Sequence, residues 1–142
     1  MPLLDIWAKT PDQLDDKQVH QLIAFAGGGK LLDESACCDE FRSFLAIVPS
    51  KKLEKFSEQC LTEAFPDSGM ALQDVVNEIG VRLGAEAIRG RYRGTKKHNG
   101  FDGLWKFPSG NSIVIEVKTT WNLFAGLGTM NRAGRLCSCV AG

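Results

Sequence analysis

The 142-residue sequence has no apolar run long enough to cross a bilayer. Its first ten residues, Met1 to Thr10, lack the basic start and apolar core of a secretory signal. Both absences leave a cytoplasmic protein with no membrane association as the expectation. There is no C-x-x-C pair: Cys37 and Cys38 are adjacent, Cys60 stands alone, and Cys137 and Cys139 are separated by one residue. An odd count of five argues against a disulfide framework, and His20 and His98 are too few to complete a zinc site. Buried or idle thiols are expected. No internal repeat and no low-complexity tract interrupts the chain. Gly27-Gly28-Gly29-Lys30 lacks the remainder of a phosphate loop, because Ala24 occupies the first glycine position and Leu31 replaces the hydroxyl residue. A helix-stopping turn is the expectation there.

What remains is ordinary for a soluble domain, with 44% apolar and 24% charged residues, enough for one compact core and a small helical extension. The zero net charge hides an asymmetry. Residues 1–70 hold seven basic and twelve acidic side chains, and residues 71–142 hold ten and five. The basic excess gathers in Arg89, Arg91, Arg93, Lys96, Lys97 and Lys106, around the single acid Asp102. Such a stripe holds a polyanion, or else it guards a solvated strand edge.

The first seventy residues read as helices. Asp15 or Asp16 is placed to cap a segment in which Val19, Leu22, Ile23 and Phe25 recur at helical spacing. Ser35 is positioned as the N-cap of a second helix whose apolar face is Phe41, Phe44, Leu45 and Val48. Ser50 opens a third, with Leu53, Phe56, Cys60 and Leu61 as its stripe. From Ala71 the spacing of Leu72, Val75, Val76, Ile79 and Leu83 predicts a fourth helix. Three strands are predicted to follow, over residues 87–92, 101–107 and 112–119. The fold class is therefore α/β in the broad sense, more narrowly α+β, with helices leading into strands.

Pro108-Ser109-Gly110 suits a three-residue hairpin loop, since proline presets the first turn position and glycine accepts positive φ at the last. That turn pairs residues whose numbers sum to 218. One face becomes Phe101, Trp105, Ile113, Ile115 and Val117, an apolar surface for a helix to cover. The same register sets Asp102 opposite Glu116, with Lys118 on the same side of the sheet. Two carboxylates so placed repel each other unless a positive charge lies between them. A hard divalent cation, Mg²⁺ or Mn²⁺, is one natural occupant, because it prefers oxygen ligands and keeps several waters. An ordinary salt bridge to Lys118 or Lys106 is the other reading of the same residues.

Gly100-Phe101-Asp102-Gly103, a turn, and Ile115-Glu116-Val117-Lys118 together resemble the signature of the PD-(D/E)XK, or restriction-endonuclease-like, nuclease superfamily. The resemblance implies a helix–three-strand core over residues 71–119. It implies Asp102 and Glu116 as metal ligands, the Val117 carbonyl as a third ligand, and Lys118 as the catalytic lysine. Glu78 stands where many members carry a further acidic catalytic residue, and Asp74, one turn earlier, competes for that role. The activity implied is Mg²⁺-dependent hydrolysis of DNA phosphodiester bonds. Arg89, Arg91, Arg93, Lys96 and Lys97 would contact phosphates, and a homodimer is left open.

One stretch departs from that pattern. Beyond Thr120 the superfamily has an amphipathic helix and a further strand, but here a Gly- and Cys-containing tail runs to Gly142 with no acidic residue after Glu116. The expected organisation is an N-terminal helical region (1–69), a nuclease-like core (70–120) and an atypical tail (121–142). A truncated or frameshifted reading frame would explain the tail, and would leave the ligands in place without the elements that brace them. A non-catalytic nucleic-acid-binding module, or a protein-interaction module with a degenerate nuclease core, is the alternative.

Overall fold

The computed structural model describes residues 2–94 and 100–119. Among the described residues, five helices precede a three-stranded antiparallel sheet, an α+β arrangement with the helices N-terminal. They are α1 (Pro2–Lys9), α2 (Val19–Phe25), α3 (Ala36–Ile47), α4 (Ser50–Thr62) and α5 (Ser68–Arg82), with a 3-10 turn at Pro11–Leu14. The strands are β1 (Glu86–Arg89), β2 (Gly103–Lys106) and β3 (Ser112–Ile115), in spatial order β1-β2-β3. No described helix is long and apolar enough to cross a membrane.

Helix starts follow the local chemistry in part. The Ser35 hydroxyl accepts the Cys38 N–H at 3.1 Å and caps α3. Asp15 does not cap α2: it pairs with Lys52 at 2.7 Å, and the N-cap is Gln18, whose N–H donates to Gln21 Oε1 at 2.9 Å. The glycine run ends α2, with Gly27 at φ +44 and Gly29 at φ +73, a backbone that side chains disfavour. The Gly27 N–H donates to Glu40 Oε2 at 2.7 Å, and the other oxygen of this buried carboxylate accepts the Leu4 N–H at 3.1 Å. Glu40 thereby satisfies an orphan amide in the first turn of α1, a helix that the sequence reading did not anticipate.

The core is continuous from Leu3 to Ile115. Its centre is α5, in which every residue from Ala71 to Glu78 is buried. One side of α5 meets β1 and β2, and the other meets α3 and α4. The β2–β3 register is the expected one: Gly103 faces Ile115, Leu104 faces Val114 and Trp105 faces Ile113. Gly110 turns at φ +91 and donates to the Phe107 carbonyl at 3.0 Å, and Phe107 N–H reaches the Asn111 carbonyl at 2.9 Å. Trp105 and Ile115 lie buried in the core, whereas Val114 on the opposite face is 46% exposed. The strands are shorter than expected at the ends that carry the polar residues, and this shortening shapes the site.

Candidate functional site

The regular ladder ends at Gly103 and Ile115, one step before the expected pairing of Asp102 with Glu116. Asp102 sits in a bend, and its N–H donates to the Ile115 carbonyl at 3.0 Å. Its own carbonyl is gripped by three donors: Gly90 N–H at 3.0 Å, Gln73 Nε2 at 3.1 Å and Asn77 Nδ2 at 3.0 Å. The Asn77 amide oxygen in turn accepts Trp105 Nε1–H at 3.1 Å, and Gln73 Nε2 also reaches the Gly90 carbonyl at 3.1 Å. Two amide side chains on α5 thus lock the end of β1, Asp102 and Trp105 to one helix face. The sequence reading missed Gln73 and Asn77. Their signal was present, since amide side chains four apart fall on one helix face, and buried they carry a desolvation cost that only a specific partner offsets.

The Asp102 carboxylate bonds to main chain. Oδ2 accepts the Val117 N–H at 2.5 Å, and Oδ1 accepts no hydrogen bond from the described residues. Burial pushes this carboxyl above its ordinary value; the Val117 N–H pulls it down, the Glu116 charge pushes it up and Lys118 pulls it down. Glu116 and Lys118 form an ion pair at 3.0 Å, with both side chains about two-thirds exposed at 65% and 66%. The structure therefore gathers Asp102, Glu116, Val117 and Lys118, with Asp102 rotated onto the Val117 backbone and Glu116 already answered by Lys118. Asp102, Val117 and Lys118 line a cleft of about 810 Å³, together with Phe65, Ser68, Tyr92, Arg93 and Thr119 among others.

Glu78 and Asp74 are placed elsewhere. Both are buried in α5 and neither lines the cleft. Glu78 Oε1 pairs with Arg82 at 3.3 Å and Oε2 with Arg89 at 3.3 Å. Asp74 receives Arg42 Nε at 2.8 Å and the Tyr92 hydroxyl, with Arg89 at 3.8 Å. Burial pushes the Asp74 carboxyl up, against the pull of Arg42, Tyr92 and Arg89. It also pushes the Tyr92 hydroxyl up, and the Asp74 charge adds to that effect. Arginines have taken the lone pairs that a metal would need, so the expected contribution of Glu78 is not where the cleft is.

The described members of the basic stripe part company. Arg89 turns into the Asp74–Glu78 network with its side chain 21% exposed, because two buried acids on α5 require a cation. Arg91 is exposed but lies 3.6 Å from Glu34, and only Arg93 lines the cleft. Lys96 and Lys97, like residues 120–142, lie outside the described residues.

The donor set around Asp102 fits a hard divalent cation in kind. It offers two carboxylates and a backbone carbonyl, all oxygen, with one carboxylate oxygen uncommitted. Mg²⁺ is held elsewhere by one or two carboxylates while it keeps several waters. Among the described residues no group of three or more His, Cys, Asp or Glu side chains assembles in metal-binding range. This is a two-carboxylate site or none. Comparison with protein-family models, curated proteins and solved structures finds no match to the chain.

Proposed function

We propose that the chain is a metal-dependent nuclease of the PD-(D/E)XK type acting on DNA. The observation that carries this reading is the Asp102 carboxylate, half-buried with a raised pKa, bonded to the Val117 N–H and within electrostatic reach of Glu116 and Lys118. A carboxylate kept in such surroundings costs stability, and that cost is characteristic of functional sites. Asp102, Glu116 and the Val117 carbonyl would hold Mg²⁺ or Mn²⁺, which supplies Lewis-acid polarisation of the phosphate and a more acidic water.

The remaining work falls to the side chains. Water attacks phosphorus and the bond to the leaving sugar oxygen breaks, with negative charge growing on the non-bridging oxygens; the attacking water gives a proton to solvent, and the leaving oxygen takes one up from solvent. The Lys118 ammonium, steadied by Glu116, is placed to neutralise that charge and to orient the attacking water. Arg93 at the cleft draws in the phosphate backbone without reading sequence, so binding weakens as salt rises. Glu78 serves this reading at one remove, pairing with Arg89 and Arg82 away from the cleft.

The test is nicking of supercoiled plasmid with Mg²⁺ or Mn²⁺. Glu116→Ala and Lys118→Ala are each expected to lower the rate by about 10² or more. Cleavage that ignores both substitutions, or that persists under chelation, defeats the proposal. DNA retention without any cleavage points instead to a non-catalytic binder, and absence of DNA affinity at low salt to a protein-interaction module. Sedimentation with and without DNA reads whether two copies act together as a homodimer.

A further inference from the structure

The N-terminus of α5 opens into the same cleft and is uncapped. Its N-cap residue, Asp67, makes no capping hydrogen bond, because Asp67 Oδ2 accepts the Leu31 N–H at 3.2 Å. Ser68 N–H bonds to the Phe65 carbonyl and Ala71 N–H to the Asp67 carbonyl. That leaves the Gly69 and Met70 amides without a partner among the described residues. Such orphan donors, with the positive end of the helix dipole behind them, favour an anion.

Two side chains give the same signal independently. Ser68 is 6% exposed and Thr119 is 8% exposed, both line the cleft, and neither hydroxyl has a hydrogen-bond partner among the described residues. Buried hydroxyls left unsatisfied cost about 1–3 kcal/mol each unless a ligand or water completes them. They belong together: a Cβ placed on Gly69 would lie 3.8 Å from Thr119 Oγ1, so Thr119 stands directly over the first turn of α5. The lack of a side chain at position 69 keeps the amide and the hydroxyl accessible to one small group. Arg93 and Lys118 line the same cleft and outnumber its one acid, Asp102.

We infer that the first turn of α5, with the Ser68 and Thr119 hydroxyls and the Gly69 and Met70 amides, is a binding subsite for a phosphate group. Four neutral donors line this one cleft together with two cations. The subsite adjoins Asp102 without sharing its atoms, so it takes a phosphate other than the one undergoing hydrolysis. If the nuclease reading holds, this subsite seats a neighbouring phosphate and positions the strand. The bound group is either an internal phosphodiester or a terminal phosphate monoester, and both present the same oxygens to these donors.

The subsite is tested without cleavage, so its failure and that of the nuclease are separable. The full chain, labelled with ¹⁵N, is titrated with inorganic phosphate at constant ionic strength against chloride. Saturable shifts at the Gly69 and Met70 amides are expected. Ser68→Ala and the near-isosteric Thr119→Val should each weaken phosphate binding by about tenfold, the worth of one hydrogen bond to a charged group. Absence of shifts at those two amides at tens of millimolar phosphate overturns the inference, as does binding unchanged in both variants. A short oligonucleotide with a 5′-hydroxyl is then compared with its 5′-phosphorylated form. Equal shifts assign an internal phosphodiester, and shifts only with the phosphorylated strand assign a terminal phosphate. Shifts with neither overturn the assignment to nucleic acid.

Discussion

Replacing Asn77 by Ala tests the clamp under Asp102. Asn77 is fully buried and makes three hydrogen bonds: to the Gln73 carbonyl at 2.9 Å, to the Asp102 carbonyl at 3.0 Å and from Trp105 Nε1–H at 3.1 Å. The Gln73 carbonyl sits inside a helix and loses little. The Asp102 carbonyl keeps two donors, so the lost bond costs about 0.5–1.5 kcal/mol. Trp105 Nε1–H is left buried and orphaned at about 1–3 kcal/mol, and the small void adds up to about 1 kcal/mol. The expected sum is about 3 kcal/mol, a large part of the roughly 5–15 kcal/mol that holds a domain together. In urea this moves the midpoint by about 1–2 M, read by circular dichroism alongside tryptophan fluorescence. Asn77→Asp is the sharper companion. It keeps an acceptor for Trp105 but turns a second oxygen toward the Asp102 and Gln73 carbonyls. Near neutral pH it should be worse than Ala and should recover in acid, where the protonated carboxyl donates. A loss below about 1 kcal/mol for Asn77→Ala, or an Asn77→Asp variant indifferent to pH, refutes the clamp.

Gly90→Ala would set a Cβ 1.8 Å from the Phe101 carbonyl oxygen, backbone against backbone. Separating the strands also breaks the Gly90–Asp102 bond, so about 2–3 kcal/mol or more should be lost; an unchanged melting temperature counts against this packing. Because the folded pKa of Asp102 is raised, its contribution is most favourable below the usual carboxylate value and is lost as pH rises through the folded value. Asp102→Asn should therefore melt higher than the parent at neutral pH, with the gap closing in acid; added Mg²⁺ should raise the parent alone, and a gap that widens in acid contradicts the assigned cause. Burial pushes the Cys37 thiol up to about 11 and the Cys60 thiol up to about 12, and raises Cys38. All three should resist alkylation in the native protein and react once denaturant is added, as peptide mapping would report; rapid native labelling of any of them would contradict their burial.

The hairpin was readable because its determinants are local. Pro108, Ser109 and Gly110 specify a turn, the turn specifies a register, and alternation then sends Trp105 and Ile115 inward. Helices α3, α4 and α5 were readable from apolar spacing, and α3 from its Ser35 cap as well. Helix α1 was not, since the group that completes its first turn is Glu40, distant in sequence. The inward turn of Arg89 was not readable for a related reason: strand parity says which face a residue takes, and the buried acids on α5 decide whether that face wants a cation. Asp102 lay one residue past the ladder, where alternation stops governing direction and a backbone amide captured its carboxylate.

The two ends of Asp102 are held unequally, three donors on its carbonyl against one on its carboxylate. The main chain there acts as a fixed pivot and the acid as a lever on its own short side chain. Under the proposed function a bound Mg²⁺ would draw the acid from a backbone that is held independently of it. The Val117 amide would register the swing, protected from solvent exchange while the lever rests on it and exposed once it leaves.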